Sequence, residues 1–156
     1  GGWHWGKVRC LICGYGDEDY QGELDERASR GEILQLGFHP DMHEYYRDCS
    51  AVVMPTWHEG MSNVLMEASA CARPVIASNI SGCREIFENG VSGLAFLPKN
   101  ADSLTETIER FLLLAPEERA EMGRQARAYV EAHFDRRQVV TEYLETLGSL
   151  IEATRC

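Results

Sequence analysis

The sequence lacks the features of several common protein classes. Its 15 basic residues are outnumbered by 25 acidic ones, and the net charge of −10 argues against nucleic acid and anionic membranes as main partners. No apolar run approaches the roughly 18 residues that a membrane helix needs, and we expect no signal peptide. We therefore expect a cytoplasmic protein.

Recognised metal and catalytic motifs are also missing. Cys10-x-x-Cys13 is the only close pair among six cysteines, whereas a zinc ribbon needs two such pairs. The histidines are scattered, so we expect neither a metal nor a cofactor. Ser62 lacks a G-x-S-x-G elbow, and Asp19 stands where a dinucleotide fingerprint needs its third glycine. The cysteines are interpreted as buried thiols in a reducing compartment.

The sequence does contain a regular alternation of short apolar runs and amphipathic segments. Its 156 residues suffice for one domain with a real core, assigned to residues 7–156, and residues 1–6 are interpreted as a ragged chain end. Strands are predicted at 8–13, 33–36, 51–54, 74–77 and 93–96. Helices are predicted at 17–29, 42–48, 62–72, 84–88, 104–112, 116–133 and 143–151. This order favours an α/β fold, a Rossmann-like parallel sheet with helices on both faces and carboxy-terminal helices.

One stretch, 55–68, carries most of the candidate chemistry. In a parallel sheet, ligands bind beyond the carboxyl ends of the strands, and this stretch follows the third predicted strand. Ser62 or Asn63 can cap the helix that follows. The first amides of a helix lack partners and lie at the positive end of its dipole, so a phosphate is favoured at the amides of residues 62–65.

Two glutamates flank this helix start, eight positions apart. Glu59 lies in a turn with Gly60, where a ligand can approach the backbone closely, and can accept hydrogen bonds from sugar hydroxyls. Glu67 lies about one turn into the helix, within reach of the ribose of a nucleotide whose phosphates sit at the helix start. On the residues alone, an equal alternative is that both are solvated surface acids.

The segment from Glu59 to Glu67 resembles the Glu-x7-Glu motif of retaining glycosyltransferases with the GT-B fold, glycosyltransferase family 4. The resemblance extends over residues 7–147 through an ordered series of further matches, at 11–16, 36–38, 68–78, 82–86 and 89–94. It implies the carboxy-terminal nucleotide-sugar-binding domain, one half of a GT-B fold. That domain would bind a nucleotide-sugar, expected to be a UDP-sugar, and serve hexosyl transfer in polysaccharide or glycolipid biosynthesis.

The resemblance also implies roles for individual residues. Glu59 would be the catalytic residue that holds the donor sugar, Glu67 would hold the ribose, and Gly14 and Phe38 would lie in turns on the nucleotide side. The backbone that would hold the sugar and diphosphate comprises Gly60, Met61, Ser62, Asn63, Val64 and Leu65. The leaving diphosphate would be stabilised electrostatically, without a metal.

Several departures from the family pattern limit the expected activity. Against the family pattern, we expect these residues to lack the amino-terminal acceptor domain and the first strand and helix that carry the family's diphosphate-neutralising Arg and Lys. We expect this chain alone to be inactive, and its sheet to close directly, leave a gap or pair with another chain as a dimer. Ala72 replaces a glycine that the family has at the end of a helix. Peripheral attachment to the inner membrane is expected only for the full-length protein. The alternative function is a non-catalytic nucleotide-binding or interaction module.

Overall fold

The computed structural model describes residues 8–14 and 18–153, which form two compact units divided after Met42. The first unit contains β1 (Cys10–Cys13), α1 (Glu18–Ser29) and β2 (Ile33–Gly37). The second unit contains α2 (His43–Asp48), β3 (Val52–Met54), α3 (Asn63–Ala70), β4 (Val75–Ser78), β5 (Gly93–Phe96), α4 (Ala101–Leu113), α5 (Pro116–His133) and α6 (Arg136–Ala153).

The first unit is a parallel pair of strands with one helix. β1 and β2 pair from Cys10 opposite Ile33, with an irregularity between Ile12 and Cys13. The amide of Gly14 donates to the carbonyl of Gly37 at 2.7 Å, just beyond the strands. Cys10 and Cys13 are exposed, so the prediction of buried thiols is wrong for this pair. The reason is that this unit supplies one helix for a two-stranded sheet, which leaves strand surface uncovered.

The second unit is built on a three-stranded parallel sheet in the order β3-β4-β5. Every residue of the central strand β4 is buried, as expected for a parallel strand with neighbours on both sides. Helices α4 and α5 contribute Phe111 and Met122 to the core. The main core cluster consists of Ile76, Leu94, Phe96, Phe111 and Met122.

The strands form two sheets within the described residues. β1 pairs with β2 in the first sheet, and β3 pairs with β4 in the second. The α/β class and the parallel strand direction are as predicted. The carboxyl ends of β3, β4 and β5 share one edge because the three strands run in the same direction.

The predicted helix at 84–88 is wrong, because this segment consists of turns. Ser92 accepts from the amide of Glu88 at 2.7 Å, a donor that a helix over 84–88 would need for its bond to the carbonyl of Arg84. Such local side-chain bonds compete with helix formation. The consecutive residues Ile86 and Phe87 are both buried, which fits a turn packed on the core.

The carboxy-terminal helices begin as their sequences predict. The Asn100 side chain caps α4 by accepting from the amide of Ser103 at 2.8 Å. α5 starts with Pro116, and Glu118 accepts from the amide of Ala115 at 2.7 Å. α6 is helical, and its large apolar residues are exposed, among them Tyr143, Leu144, Leu147 and Leu150.

Candidate functional site

The turn after β3 packs directly against the turn after β4. Gly82 has a φ of +85°, and a Cβ built there would lie 2.5 Å from the carbonyl oxygen of Glu59 and 2.6 Å from that of Gly60. The amide of Ser62 donates to the carbonyl of Gly82 at 3.0 Å. Only glycine fits position 82, because the conformation is left-handed and another backbone occupies the side-chain space.

Glu85 holds the second turn in place. Its carboxylate accepts from the amide of Gly82 at 2.7 Å and from the hydroxyl of Ser81 at 3.2 Å. Its own backbone amide, and then that of Gly82, lowers the pKa of Glu85 from its ordinary value. The sequence contains the signal for this support, the Gly82-x-x-Glu85 spacing, but sequence reasoning gave Glu85 no role.

The start of α3 offers two backbone amides to a ligand. Ser62 is buried at 1% exposure and caps the helix by accepting from the amide of Leu65 at 3.4 Å. The amides of Ser62 and Leu65 are therefore already bonded within the protein. Those of Asn63 and Val64 make no hydrogen bond to the residues that the structure describes. Of the four amides at 62–65, those of Asn63 and Val64 therefore have no partner among the described residues, as is usual in the first turn of a helix.

Glu59 is half-buried in the turn that precedes this helix start. Its carboxylate accepts no hydrogen bond from any described residue, so its oxygens are available to donors on a ligand. It lies near the buried thiol of Cys83, whose pKa is raised by burial and then by the charges of Glu59 and Glu85. Nearby in sequence, Trp57 is exposed, and the Lys99 ammonium lies 4.9 Å from its ring centroid.

Glu67 lies in the second turn of α3 and is held from one side. The hydroxyl of the buried Tyr46 donates to its Oε2 at 3.3 Å. Glu67 also lines a mainly apolar groove of about 310 Å³, which Met66, Val130 and Phe134 share. Glu59 and Glu67 therefore flank one helix start but contact different elements, the turn after β4 and helix α2.

Gly14 and Phe38 follow the strands of the first unit. Gly14 has a φ of +111° and pairs with Gly37, and Phe38 comes next in the chain with an exposed side chain. Both therefore stand where the two parallel strands end, as the sequence predicts. They belong to the other compact unit from Glu59 and Glu67.

The described part of the chain has neither a cluster of metal ligands nor a helix that could span a membrane. Across residues 8–14 and 18–153, no group of three or more His, Cys, Asp or Glu side chains is arranged to hold a metal ion. Over the same residues, no helix combines the length and hydrophobicity needed to cross a bilayer.

Comparison with known proteins identifies the family. A family model described as glycosyl transferases group 1 matches residues 6–129. The chain belongs to the glycosyl transferases group 1 family. Among its relatives is the N,N'-diacetylbacillosaminyl-diphospho-undecaprenol alpha-1,3-N-acetylgalactosaminyltransferase of Campylobacter jejuni, which is 28% identical over 94% of this chain and 38% of its own length. The capsular polysaccharide biosynthesis glycosyltransferase CapM of Staphylococcus aureus is 32% identical over 69% of this chain and 28% of its own.

The fold of this glycosyltransferase family member matches solved structures of the same class. HepE from Anabaena in complex with UDP aligns with a TM-score of 0.82 at 27% identity, over 91% of this chain and 41% of its own. The complex of HepE with UDP-glucose gives a TM-score of 0.78. The α/β fold, as one half of a GT-B glycosyltransferase, is thereby confirmed. The chain spans about two fifths of the length of HepE and of the Campylobacter relative.

Proposed function

We propose that this chain is the donor-binding domain of a retaining glycosyltransferase. The whole protein would move a hexosyl group from a UDP-sugar to a glycan or glycolipid acceptor in polysaccharide biosynthesis. Family membership supports transferase chemistry, and HepE, a similar structure, was solved with UDP and with UDP-glucose. The name of the Campylobacter relative specifies a diphospho-undecaprenol acceptor, which supports a glycolipid.

The observation that carries the proposal is the arrangement around the start of α3. The amides of Asn63 and Val64 point to no partner among the described residues, at the positive end of the helix. They fit the diphosphate of a nucleotide-sugar, which they would bind without a metal. The uncommitted carboxylate of Glu59 would hold the sugar hydroxyls, and Glu67 would hold the ribose.

Different residues would serve the diphosphate, the sugar and the nucleoside in the transfer step. The leaving diphosphate gains negative charge in the transition state, and preorganised amide donors stabilise that charge more than they stabilise the ground state. Glu59 orients the sugar ring, and the contact between Gly82 and the Glu59–Gly60 turn keeps that carboxylate in place. Gly14 and Phe38 would serve the nucleoside side. Since the chain covers about two fifths of its relatives' length, we expect nucleotide binding from it, and transfer only from the whole protein.

The test is a thermal-shift panel of UDP, GDP, ADP and their sugars. A ligand at 100 times its dissociation constant stabilises a protein by about 2.7 kcal/mol, which for this size means a rise of roughly 5–10 °C in Tm. We expect such a rise with the uridine ligands, and its loss in Glu67→Ala. Glu106→Ala, an exposed acid on α4, is the matched control and should keep the rise.

The panel also separates the competing functions. A rise with guanosine or adenosine ligands instead would change the proposed donor while keeping the site. No rise with any ligand would refute donor binding and favour a non-catalytic interaction module. Sugar transfer by the purified 156-residue chain would refute the expectation that this chain needs the rest of the protein.

A further inference from the structure

A buried tyrosine on α2 contacts the carboxylate proposed to bind ribose. Tyr46 is only 4% exposed, and its hydroxyl donates to Oε2 of Glu67 at 3.3 Å. The two residues are 21 positions apart, on helices that flank strand β3 in the chain. An ionised carboxylate only accepts hydrogen bonds, so the phenol must be the donor.

The packing of Tyr46 does not require its hydroxyl. The aromatic ring fills core space as phenylalanine would, and a buried tyrosine hydroxyl is stable only when a polar partner satisfies it. Here that partner is a side chain that is itself exposed. The hydrogen bond therefore links a buried side chain of the core to a carboxylate on the surface.

The bond leaves Glu67 prepared for a ligand. A free glutamate side chain samples several rotamers and loses that freedom when a ligand binds. With Oε2 held by Tyr46, Oε1 makes no hydrogen bond to the described residues and keeps its lone pairs for two hydroxyl donors. A vicinal diol presents such donors, and the ribose of a nucleotide is a vicinal diol.

We propose that Tyr46 is a positioning residue that presets Glu67 for the 2′- and 3′-hydroxyls of the nucleotide. This inference rests on the proposed function, in which Glu67 binds the ribose. Tyr46 does not touch the ligand; it acts through the carboxylate. Its hydroxyl thereby contributes to the selection of a ribonucleotide donor.

The test measures dissociation constants by calorimetric titration of the 156-residue chain with UDP and with 2′,3′-dideoxy-UDP. The variants are Tyr46→Phe, Glu67→Ala and the two combined. We expect Tyr46→Phe to weaken UDP binding about 5-fold and Glu67→Ala to weaken it about 30-fold, with no effect of either on dideoxy-UDP. Tyr129→Phe removes the hydroxyl of a half-buried tyrosine on α5. It is the matched control and should leave the dissociation constants of both ligands unchanged.

The outcomes separate the inference from the function on which it rests. UDP binding that is insensitive to Glu67→Ala would refute the ribose assignment, and the role of Tyr46 with it. A large loss in Glu67→Ala with none in Tyr46→Phe would refute the Tyr46 role alone. If Tyr46→Phe weakened the binding of UDP and of dideoxy-UDP equally, the hydroxyl would have only a structural role. In the combined variant, the Tyr46 change should add nothing, because Tyr46 acts on the ligand through the carboxylate of Glu67.

Discussion

Replacing Gly82 by alanine should displace the turn that carries Glu59. The new Cβ would lie 2.5 Å and 2.6 Å from the carbonyl oxygens of Glu59 and Gly60, closer than real Cβ atoms approach. Both obstacles are backbone atoms, so no flexible side chain can move aside. Gly90 provides a matched control: its φ is also +85°, but nothing lies within 4 Å of its Cβ position.

Both substitutions force an L-residue into a left-handed backbone, and Gly82→Ala has two further costs. A left-handed backbone costs an L-residue about 1–2 kcal/mol at either position. At Gly82, forced overpacking adds about 1–3 kcal/mol, and loss of the hydrogen bond from the amide of Ser62, 3.0 Å long, adds about 1 kcal/mol. We expect Gly82→Ala to lower the free energy of unfolding by about 4 kcal/mol and Gly90→Ala by about 1.5 kcal/mol.

Thermal melts followed by circular dichroism measure this difference. For a chain of this size, the expected falls in Tm are about 10 °C for Gly82→Ala and about 4 °C for Gly90→Ala. Gly82→Ala should also weaken UDP binding, since the Glu59–Gly60 turn must shift, whereas Gly90→Ala should not. Equal falls in Tm for the two variants would refute the close approach of the turns.

Three further changes test other parts of the structure. Ala72 has a φ of +55°, so Ala72→Gly should raise the free energy of unfolding by about 0.5–1 kcal/mol in chemical denaturation. Gly123→Ala should lower it by about 2 kcal/mol, because the added methyl would meet the carbonyl oxygen of Ala72 where α3 and α5 pack. Glu85→Gln should lower Tm at pH 7. The pKa of Glu85 is depressed in the folded state, so its contribution is present above the ordinary carboxylate pKa and is lost as pH falls through the folded value.

Each of these changes has a control and a contrary outcome. Gly148→Ala, in a helix with nothing within 4 Å, should be neutral or stabilising, so equal losses at Gly123 and Gly148 would contradict the α3–α5 contact. If Ala72→Gly lowered the free energy of unfolding, residue 72 would not have the left-handed backbone conformation. If the gap in Tm between the native protein and Glu85→Gln did not narrow as the pH fell below the ordinary carboxylate pKa, the charge of Glu85 would not be what holds Gly82.

Much of the second unit could be predicted from local sequence. The apolar run at 74–77 predicts a strand, and the structure has β4 at Val75–Ser78, buried throughout. The start of α5 follows from a proline with acids in the first turn. These features succeed because each depends on neighbours in the chain. The helix start at Ser62–Asn63 also depends on neighbours in the chain.

The failures involve contacts that local sequence does not encode. The segment 84–88 has helical composition, but the amide of Glu88 donates to the side chain of Ser92. The bond between the Ser62 amide and the carbonyl of Gly82, 20 positions away, likewise could not be predicted from local sequence. The contact between Tyr46 and Glu67 could not be predicted for the same reason, since no spacing rule connects the two residues.

The response of individual backbone amides to UDP tests directly whether a diphosphate binds at the start of α3. In a titration of the chain followed by ¹H–¹⁵N NMR, the amides of Asn63 and Val64 should show the largest shifts. Those of Ser62 and Leu65, already bonded within the protein, should move less. Shifts that cluster elsewhere, with Asn63 and Val64 unchanged at saturation, would contradict a diphosphate site at the start of α3.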